Sequence, residues 1–594
     1  MRRTCDEVLA SSNDAKAVTG SVATILEKHT YFGPSDAPMF GVVHLPADGM
    51  VRGGVLLCAS LGKDASDTVR AQRLMADELA ARGFMVMRFD YLGCGDSSYR
   101  QLRPTALAEW QESVLHAAQY LRRSGVRDIS VVALRAGGLI ADRVLGDIDG
   151  LQRVVYWDPV GAGRRFIREQ TSFLKLATGP DDVPTGVVSI IGLRFAAESA
   201  AQFSALRISA PNDDCLDRLV IGRVADTDKQ VAALIDAAAV DSVVVDGFVE
   251  SAQPTRILTP VPFAAIDAAV GWLDAKGPGT LGKVAPAYSR SARIPDGDGG
   301  HAIERIETIG PRSMFAIRTL PDGSGVETPT LPTVVFFTNA NNGHFGPNRE
   351  WVELSRTVAG SGGQALRWDR QGAAESAPVR RDEIVYVYSD RGIADALAAV
   401  EHVKPTADTL MLTGPCSGAW YAAVGAQDLG ADAVLMLNQV VWSRRLKKSA
   451  WEPIQAGDSD ATNWEDSRRA RLRRLGQKVL PKLVWRQIGR TGVVQAPEVL
   501  LAPLARRGVS TTVLLCPEDT ALFRSNGGED ALKRLRKTSA PPTAIMTDSG
   551  DHACFHQGVF GEFRTEVMRF ITSHSIPKMI GDEVRGGRTS QPGR

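Results

Sequence analysis

"LMLTGPCSGAW", Leu410 to Trp420, is an apolar run that breaks at Gly, Pro, Cys and Ser and then continues into small residues. Apolar strand, tight turn and Ala-rich helix follow one another here, the layout of a strand-to-helix turn at the carboxyl edge of a parallel sheet, where such sheets place reactive groups. A turn this sharp presses strand and helix together, so the positions two before and two after its apex must be small. Framed on Cys416 these are Gly414 and Gly418; framed on Ser417 they are Pro415 and Ala419, and a proline fits the first slot poorly. The steric rule favours Cys416 at the apex over Ser417.

The pattern around this turn occurs twice. "GVLLCASLGKD" matches "TVVFFTNANNG" with Cys58 facing Phe337, and "RFDYLGCGDS" (Arg88 to Ser97) matches "RWDRQGAAES" (Arg367 to Ser376), both at an offset of 279. "VVALRAGG" corresponds to "LMLTGPCSG", "VVYWDPVGAGRR" to "VLMLNQVVWSRR", and "EKHTYFGP" to "ERIETIGP". Two copies of one domain are therefore expected, each of about 260 residues, since a single core stops growing near 250 to 300 residues. Short apolar runs alternate with amphipathic stretches such as "DTVRAQRLMADELAARG" and "NREWVELSRTVAGSG", which predicts α/β architecture: a mostly parallel, doubly wound sheet in each copy. The expected divisions are a tail over 1–20, a first domain over 21–275, a linker over 276–302, a second domain over 303–575 with a helical lid at about 446–508, and a disordered tail over 576–594. The linker holds a formal GxGxxG (Gly277, Gly279, Gly282), but it carries a proline and opens no helix after a strand, which argues against a dinucleotide site; no cofactor is expected.

Bulk composition narrows the class. Lys plus Arg (69) nearly cancel Asp plus Glu (68), so nothing points to nucleic acid. Seven cysteines with no CxxC pair suit a reduced, cytoplasmic protein better than a disulfide framework. The start, "MRRTCDEVLASSNDAK", lacks the apolar stretch of a secretory signal, and no run reaches about 18 apolar residues, so no membrane span is expected.

A thiol nucleophile needs a base and an orienting acid, which in this kind of sheet follow in the order nucleophile, acid, His. "TAIMTDSGDHACF" places His552 after a strand and a Gly turn, and "TTVLLCPEDTAL" offers Asp519 at a strand end, with Glu518 as the fallback. An oxyanion would be held by the N–H of Ser417 and by one from the loop "FFTNANNGH", near Ala340 or Asn341. His344 in that loop and Trp420 after the turn are candidates for the pocket wall, His344 equally for the surface. "DHACFH" matches no common zinc spacing and no metal is expected. Cys58, Cys94, Cys215 and Cys516 read as small buried hydrophobes.

The first copy departs where it matters. Arg135 stands at its apex between Ala133 and Gly137, and a guanidinium stays protonated and cannot attack. An acid-like position survives at Asp226 or Asp228, but His29, His44 and His116 all precede the turn. This copy is expected to be inactive, a docking or stabilising partner. Within the lid, Leu472, Leu475, Val479 and Leu483 recur at helical spacing among Arg468, Arg469, Arg471, Arg473, Arg474 and Lys478. That pattern reads as a solvated lid helix with an apolar face on the pocket; the sharper reading is a basic dock for an acyl carrier protein or coenzyme A.

Through "NNGHFGPNREW", "LRWDRQGAAES", "GPCSGAW", "VLLCPEDTAL" and "SGDHACF" the second copy resembles the serine-aminopeptidase and exosortase-associated branch of the α/β hydrolases. The pattern extends over both copies. The resemblance implies an α/β-hydrolase fold in each and assigns the site to Cys416, Asp519 and His552. Cys stands where that family generally has Ser, which resembles the turns of dienelactone hydrolases and polyhydroxyalkanoate synthases. The function expected is acyl transfer through an acyl-Cys intermediate, as a thioesterase, esterase or acyltransferase on a small acyl ester or thioester; the alternative is a non-catalytic scaffold or binding protein.

Overall fold

Runs of Val, Leu, Ile and Met bounded by Gly and Asp turns pair into two large sheets. The computed structural model describes residues 24–179, 183–209, 216–223, 228–237, 240–245, 259–296, 299–325, 330–340, 342–376, 387–444, 482–492 and 494–575. The first sheet is built from β1 (Ile25–Phe32), β2 (Met39–Pro46), β3 (Gly53–Cys58), β4 (Phe84–Phe89), β5 (Ile129–Leu134), β6 (Leu151–Trp157), β7 (Asp217–Arg223) and β8 (Val240–Val245). They lie side by side in the order β1-β2-β4-β3-β5-β6-β7-β8, with β2 antiparallel to both neighbours and every pairing from β4 onward parallel.

The second sheet comprises β9 (Ser291–Pro295), β10 (His301–Ile309), β11 (Met314–Pro321), β12 (Leu331–Phe336), β13 (Gln364–Trp368), β14 (Ala407–Pro415), β15 (Ala433–Leu437), β16 (Ser510–Leu515) and β17 (Thr543–Met546). Beyond the added edge strand β9, its order β10-β11-β13-β12-β14-β15-β16-β17 repeats the first sheet strand for strand and sense for sense. This is α/β architecture with two large, mostly parallel sheets. Side chains alternate across each sheet as the pleat demands: Leu56, Val131 and Val154 enter one core of the first sheet, while Val55, Val132 and Val155 enter another with the helix Phe263–Lys276. In the second sheet Leu412, Val434 and Val513 face the helix Ser417–Leu429, and Met411, Leu435 and Leu514 face the helix Phe560–His574. No described helix is long and apolar enough to cross a membrane.

The sheets meet through a small apolar core in which Tyr31, Phe40 and Val42 of the first pack on Ile294, Ile306, Phe315 and Ile317 of the second. Around it the two units exchange matched ion pairs. Arg88 grips Glu375 with two bonds of 2.8 Å, and Arg367 reaches back to Asp96. Arg88 and Arg367, and likewise Asp96 and Glu375, are each separated by 279 positions, so the contact is reciprocal, as across a two-fold axis.

Two sequence expectations change here. The stretch 276–302 is not a free linker: Gly282–Lys283 pairs with Met50–Val51, and Ser291–Pro295 is the edge strand β9. Of the expected lid, 446–481 and 493 lie outside the described residues, together with the cationic positions from Arg468 to Lys478. Its end, the helix Pro497–Arg506, belongs to the core instead, burying Leu500, Leu501 and Leu504 because it must cover β15 and β16.

Candidate active site

β14 ends at Pro415, the helix starts at Ser417, and Cys416 forms the turn between them with φ 50° and ψ −113°. A non-glycine residue rarely holds positive φ, and strain of this kind collects at functional sites. The Cys416 N–H donates to Leu437 O at 2.8 Å, which pins the turn to β15. A methyl group on Gly414 would come within 2.5 Å of Phe337 O, and one on Gly418 within 2.7 Å of the same oxygen. The two glycines flank Cys416 because the loop after β12 leaves no room for a side chain. Cys416 is half-buried, whereas the Ser417 side chain is buried against the sheet. As the first residue of its helix, Ser417 has an N–H with no intrahelical acceptor.

His552 and Asp519 converge on this turn. The charge of His552 bears on Cys416, and its Nδ1 lies 2.9 and 3.1 Å from the two carboxylate oxygens of buried Asp519. Burial pushes the Cys416 thiol up, but the charge of His552 and the hydrogen bonds from His552 and Tyr388 outweigh it, leaving the thiol below its ordinary range. Burial acts against the His552 imidazolium, but Asp519 and Cys416 together raise it well above the ordinary histidine range. Asp519 is held low: burial raises it, while His552 and a thiol hydrogen bond lower it further. The chemistry available is a thiolate beside an imidazolium, with a carboxylate behind it. Glu518, the fallback acid, is exposed at the outer side of the same helix start.

Several supporting groups carry no sequence signal of their own. The Cys516 thiol donates to Asp519 Oδ2 at 2.9 Å, and burial with the Asp519 charge pushes that thiol up to about 12. Cys516 is thus no mere hydrophobe; it stands just before the helix Pro517–Ser525, and its thiol reaches the carboxylate of the helix's third residue. Asn438, at φ 50°, accepts the Cys516 N–H at 2.9 Å and donates to Asp551 O at 2.9 Å, tying the acid loop to the histidine loop. Tyr388 places its hydroxyl 3.7 Å from Cys416 Sγ.

Other expected residues lie elsewhere. Trp420 is buried, donating to Ser443 O at 2.9 Å and packing edge-on against Tyr388, so it is core rather than pocket wall. His344 is neither pocket wall nor surface: it is 1% exposed, clamped between Asp369 and Asp96. Asn341 lies outside the described residues; neighbouring Ala340 is buried, its carbonyl accepting from Arg370. The Cys554 thiol turns toward Asn438, and His556 accepts the Gly558 N–H at 2.9 Å. Among the described residues Glu27, His29 and Glu375 bring ligand-type atoms within 4.8 Å of one another, but Arg73 and Arg88 already hold the two carboxylates and would repel a cation. Cys94 is half-buried, and Cys58 is buried beneath the corresponding loop of the first unit; Cys215 lies outside the described residues.

The matching turn of the first unit has Arg135 at φ 46° and ψ −111°. Its guanidinium is buried and saturated by Asp64 at 2.6 Å and by Asp158 and Glu169 at 2.7 Å each. Asp228, one of the two acid-like positions there, is occupied as the cap of the helix Lys229–Asp236 and in accepting the Gly161 N–H; Asp226 lies outside the described residues.

No protein-family model matches the chain, and no curated protein matches it. Among solved structures it is similar to a dienelactone hydrolase from Anabaena variabilis (12% identity, 48% of this chain, 99% of that one, TM-score 0.28). It is also similar to an esterase domain from a Rhodothermus marinus protein (13% identity, 42% of this chain, 98% of that one, TM-score 0.29). A puromycin-hydrolyzing peptidase of Mycobacterium tuberculosis matches at 14% identity over 48% of this chain and 46% of that one, TM-score 0.31. Overlaps this loose say nothing of reaction or substrate.

Proposed function

We propose that the chain holds two copies of one α/β-hydrolase fold, the first (21–275) without catalytic groups and the second (303–575) an acyl-transfer enzyme working through Cys416. The observation that carries this reading is the half-buried Cys416 thiol at a positive-φ turn, lowered by the charge of a histidine that Asp519 orients at 2.9 Å. The thiolate attacks the carbonyl carbon of an ester or thioester, and the carbonyl electrons move onto oxygen. The Ser417 N–H and an N–H of the loop after β12, in the Ala340–Asn341 region, stabilise that oxyanion. As the tetrahedral intermediate collapses, His552 passes its proton to the departing oxygen or sulfur. It then takes a proton from water, alcohol, thiol or amine as that group attacks the acyl-Cys, and the thiolate returns. The five described cysteines are all free, which suits a reducing compartment such as the cytoplasm.

The test is intact-mass and turnover measurement with activated acyl esters and thioesters on wild type, Cys416→Ala and Ser417→Ala. An acyl adduct lost in Cys416→Ala and kept in Ser417→Ala is the expected result. Loss only in Ser417→Ala reverses the choice of nucleophile, and a wild type with neither adduct nor turnover moves the protein to a scaffold or binding role.

A further inference from the structure

The loop that supplies an oxyanion donor does not stand on its own unit alone. Beyond Ala340 it runs through His344, whose main-chain N–H and Nδ1 each meet Asp369 at 2.7 Å while Nε2 meets Asp96 of the first unit at 2.5 Å. Asp96 spends its other oxygen on Arg367, so its carboxylate bridges the loop to β13. Five residues further on, Arg349 donates to Gly95 O at 2.7 Å and Ser97 O at 2.6 Å, gripping the same turn of the first unit from the other side. Between the two, Asn348 donates to Cys554 O at 3.1 Å and Phe555 O at 3.0 Å, two and three residues after His552. One segment, 344–349, thus joins the first unit's Gly95–Ser97 turn to both the oxyanion loop and the histidine loop.

Among the described residues the converse arrangement is only partial. Arg73 donates to Ala374 O at 2.9 Å much as Arg349 does to Gly95 O, and Glu375, the counterpart of Asp96, binds Arg88 and lies 3.4 Å from His29 of β1. The first unit's loop after β3, however, runs Ala59-Ser60-Leu61-Gly62-Lys63 and offers Glu375 no histidine. The ion pairs and the arginine grips are reciprocal; the histidine anchor is one-sided, in the unit that carries Cys416.

We infer that the first unit completes the active site of the second, with Asp96 the positioning residue that holds the oxyanion and histidine loops through His344. This rests on the acyl-transfer reading above for its kinetic consequence, though not for the anchoring itself. Burial opposes the His344 imidazolium, but the two aspartates hold it up to about 10, so the bridge is ionic at neutral pH.

The experiment compares Asp96→Asn with Glu375→Gln in the full chain. Both remove a buried carboxylate paired with arginine across the contact, so both lower the melting temperature, and the difference between them isolates positioning from general stability. Asp96→Asn is expected to lower kcat by about ten- to a hundredfold with KM within about twofold, since displacing a reacting group by about 1 Å costs about that much; Glu375→Gln keeps kcat within about twofold. His344→Gln, which leaves the Asp96–Arg367 pair in place, is expected to reproduce the kcat loss and covers the case in which Asp96→Asn does not fold. Hydrogen exchange read on peptides over 337–349 and 551–556 should accelerate in Asp96→Asn and His344→Gln but not in Glu375→Gln. Equal exchange and equal kcat across the variants, or a loss confined to KM, overturns the inference. If wild type neither acylates nor turns over, the acyl-transfer reading falls and the exchange pattern alone decides the anchoring.

Discussion

Two turns with almost the same backbone, Arg135 at φ 46° and ψ −111° and Cys416 at φ 50° and ψ −113°, end in opposite chemistry. Cys416 is acted on by a histidine, a tyrosine and, behind the histidine, one carboxylate; around Arg135 the neighbours are three carboxylates. Asp158 stands where Asn438 stands in the second unit, both at positive φ at the end of matching strands. In one unit this position ties the Asp519 and His552 loops together, and in the other it balances the guanidinium of Arg135, which stands at the turn position that Cys416 occupies. The difference teaches that one strained turn can hold different side chains provided its surroundings change as a set, so that a buried charge always has its partners.

The largest way to break the comparison is to make the turns alike. Asp519→Asn should lower kcat by roughly a thousandfold or more, because the imidazole loses the partner that holds its tautomer and charge; steady-state kinetics on an activated ester measures it. Arg135→Cys, the converse exchange, should give no acyl adduct by mass. It should instead cost about 3 to 5 kcal/mol in urea unfolding, the usual result of leaving buried carboxylates without their cation.

A smaller effect separates the contact between units from the site. His344 is raised to about 10 in the folded chain and is near 6.5 when unfolded, so its stabilisation is complete below pH ~6.5 and lost as pH rises through about 10. Asp90, pushed up to about 7 by burial and by Asp96, adds a loss at lower pH, from ~3.8 upward, because the folded state again binds more protons. Below about pH 5 the lowered carboxylates Glu27 and Glu375 act the other way, so the fall should be read from pH ~7 to ~10, and Asp96→Asn should flatten it.

The smallest effect sharpens the contrast among thiols. Iodoacetamide should alkylate Cys416 well below the pH at which an ordinary thiol reacts, while Cys516 and Cys94, both held up to about 12, stay unlabelled. Tyr388→Phe removes a hydrogen bond that lowers the Cys416 thiol, so its labelling profile should move to higher pH and turnover should fall severalfold.

How much of this was legible in the sequence follows from how local each determinant is. The alternation of strand and helix and the turn can be read because small flanking residues and alternating apolar runs obey rules spanning a few positions, and a repeated pattern doubles the signal. Asp519 and His552 were reachable because this topology constrains chain order. Asn438 and Cys516 were not, since "LNQVVW" and "LLCPED" look like any strand end until the loops are folded together. His344 was misread for a stronger reason: its partner Asp96 lies 248 positions away, and only the docking of two sheets makes an exposed-looking loop residue a buried cation. Within the linker the edge strand β9 is hidden because "SARIP" is short and framed by the glycines and prolines of a tether, and an edge strand tolerates its proline.

That connecting segment has a further consequence. Val284, Ala285, Ser289 and Arg290 hydrogen-bond to Gly49, Ser124, Tyr31 and Ile306, stitching the passage between the sheets to both of them. In an assembly of two identical chains every substitution appears on both sides of the axis, and a lost nucleophile is lost twice. Joined in one chain, the two sides can drift apart, and their association no longer depends on concentration. The stitched segment is therefore what lets one face keep a thiol while its counterpart becomes a wall.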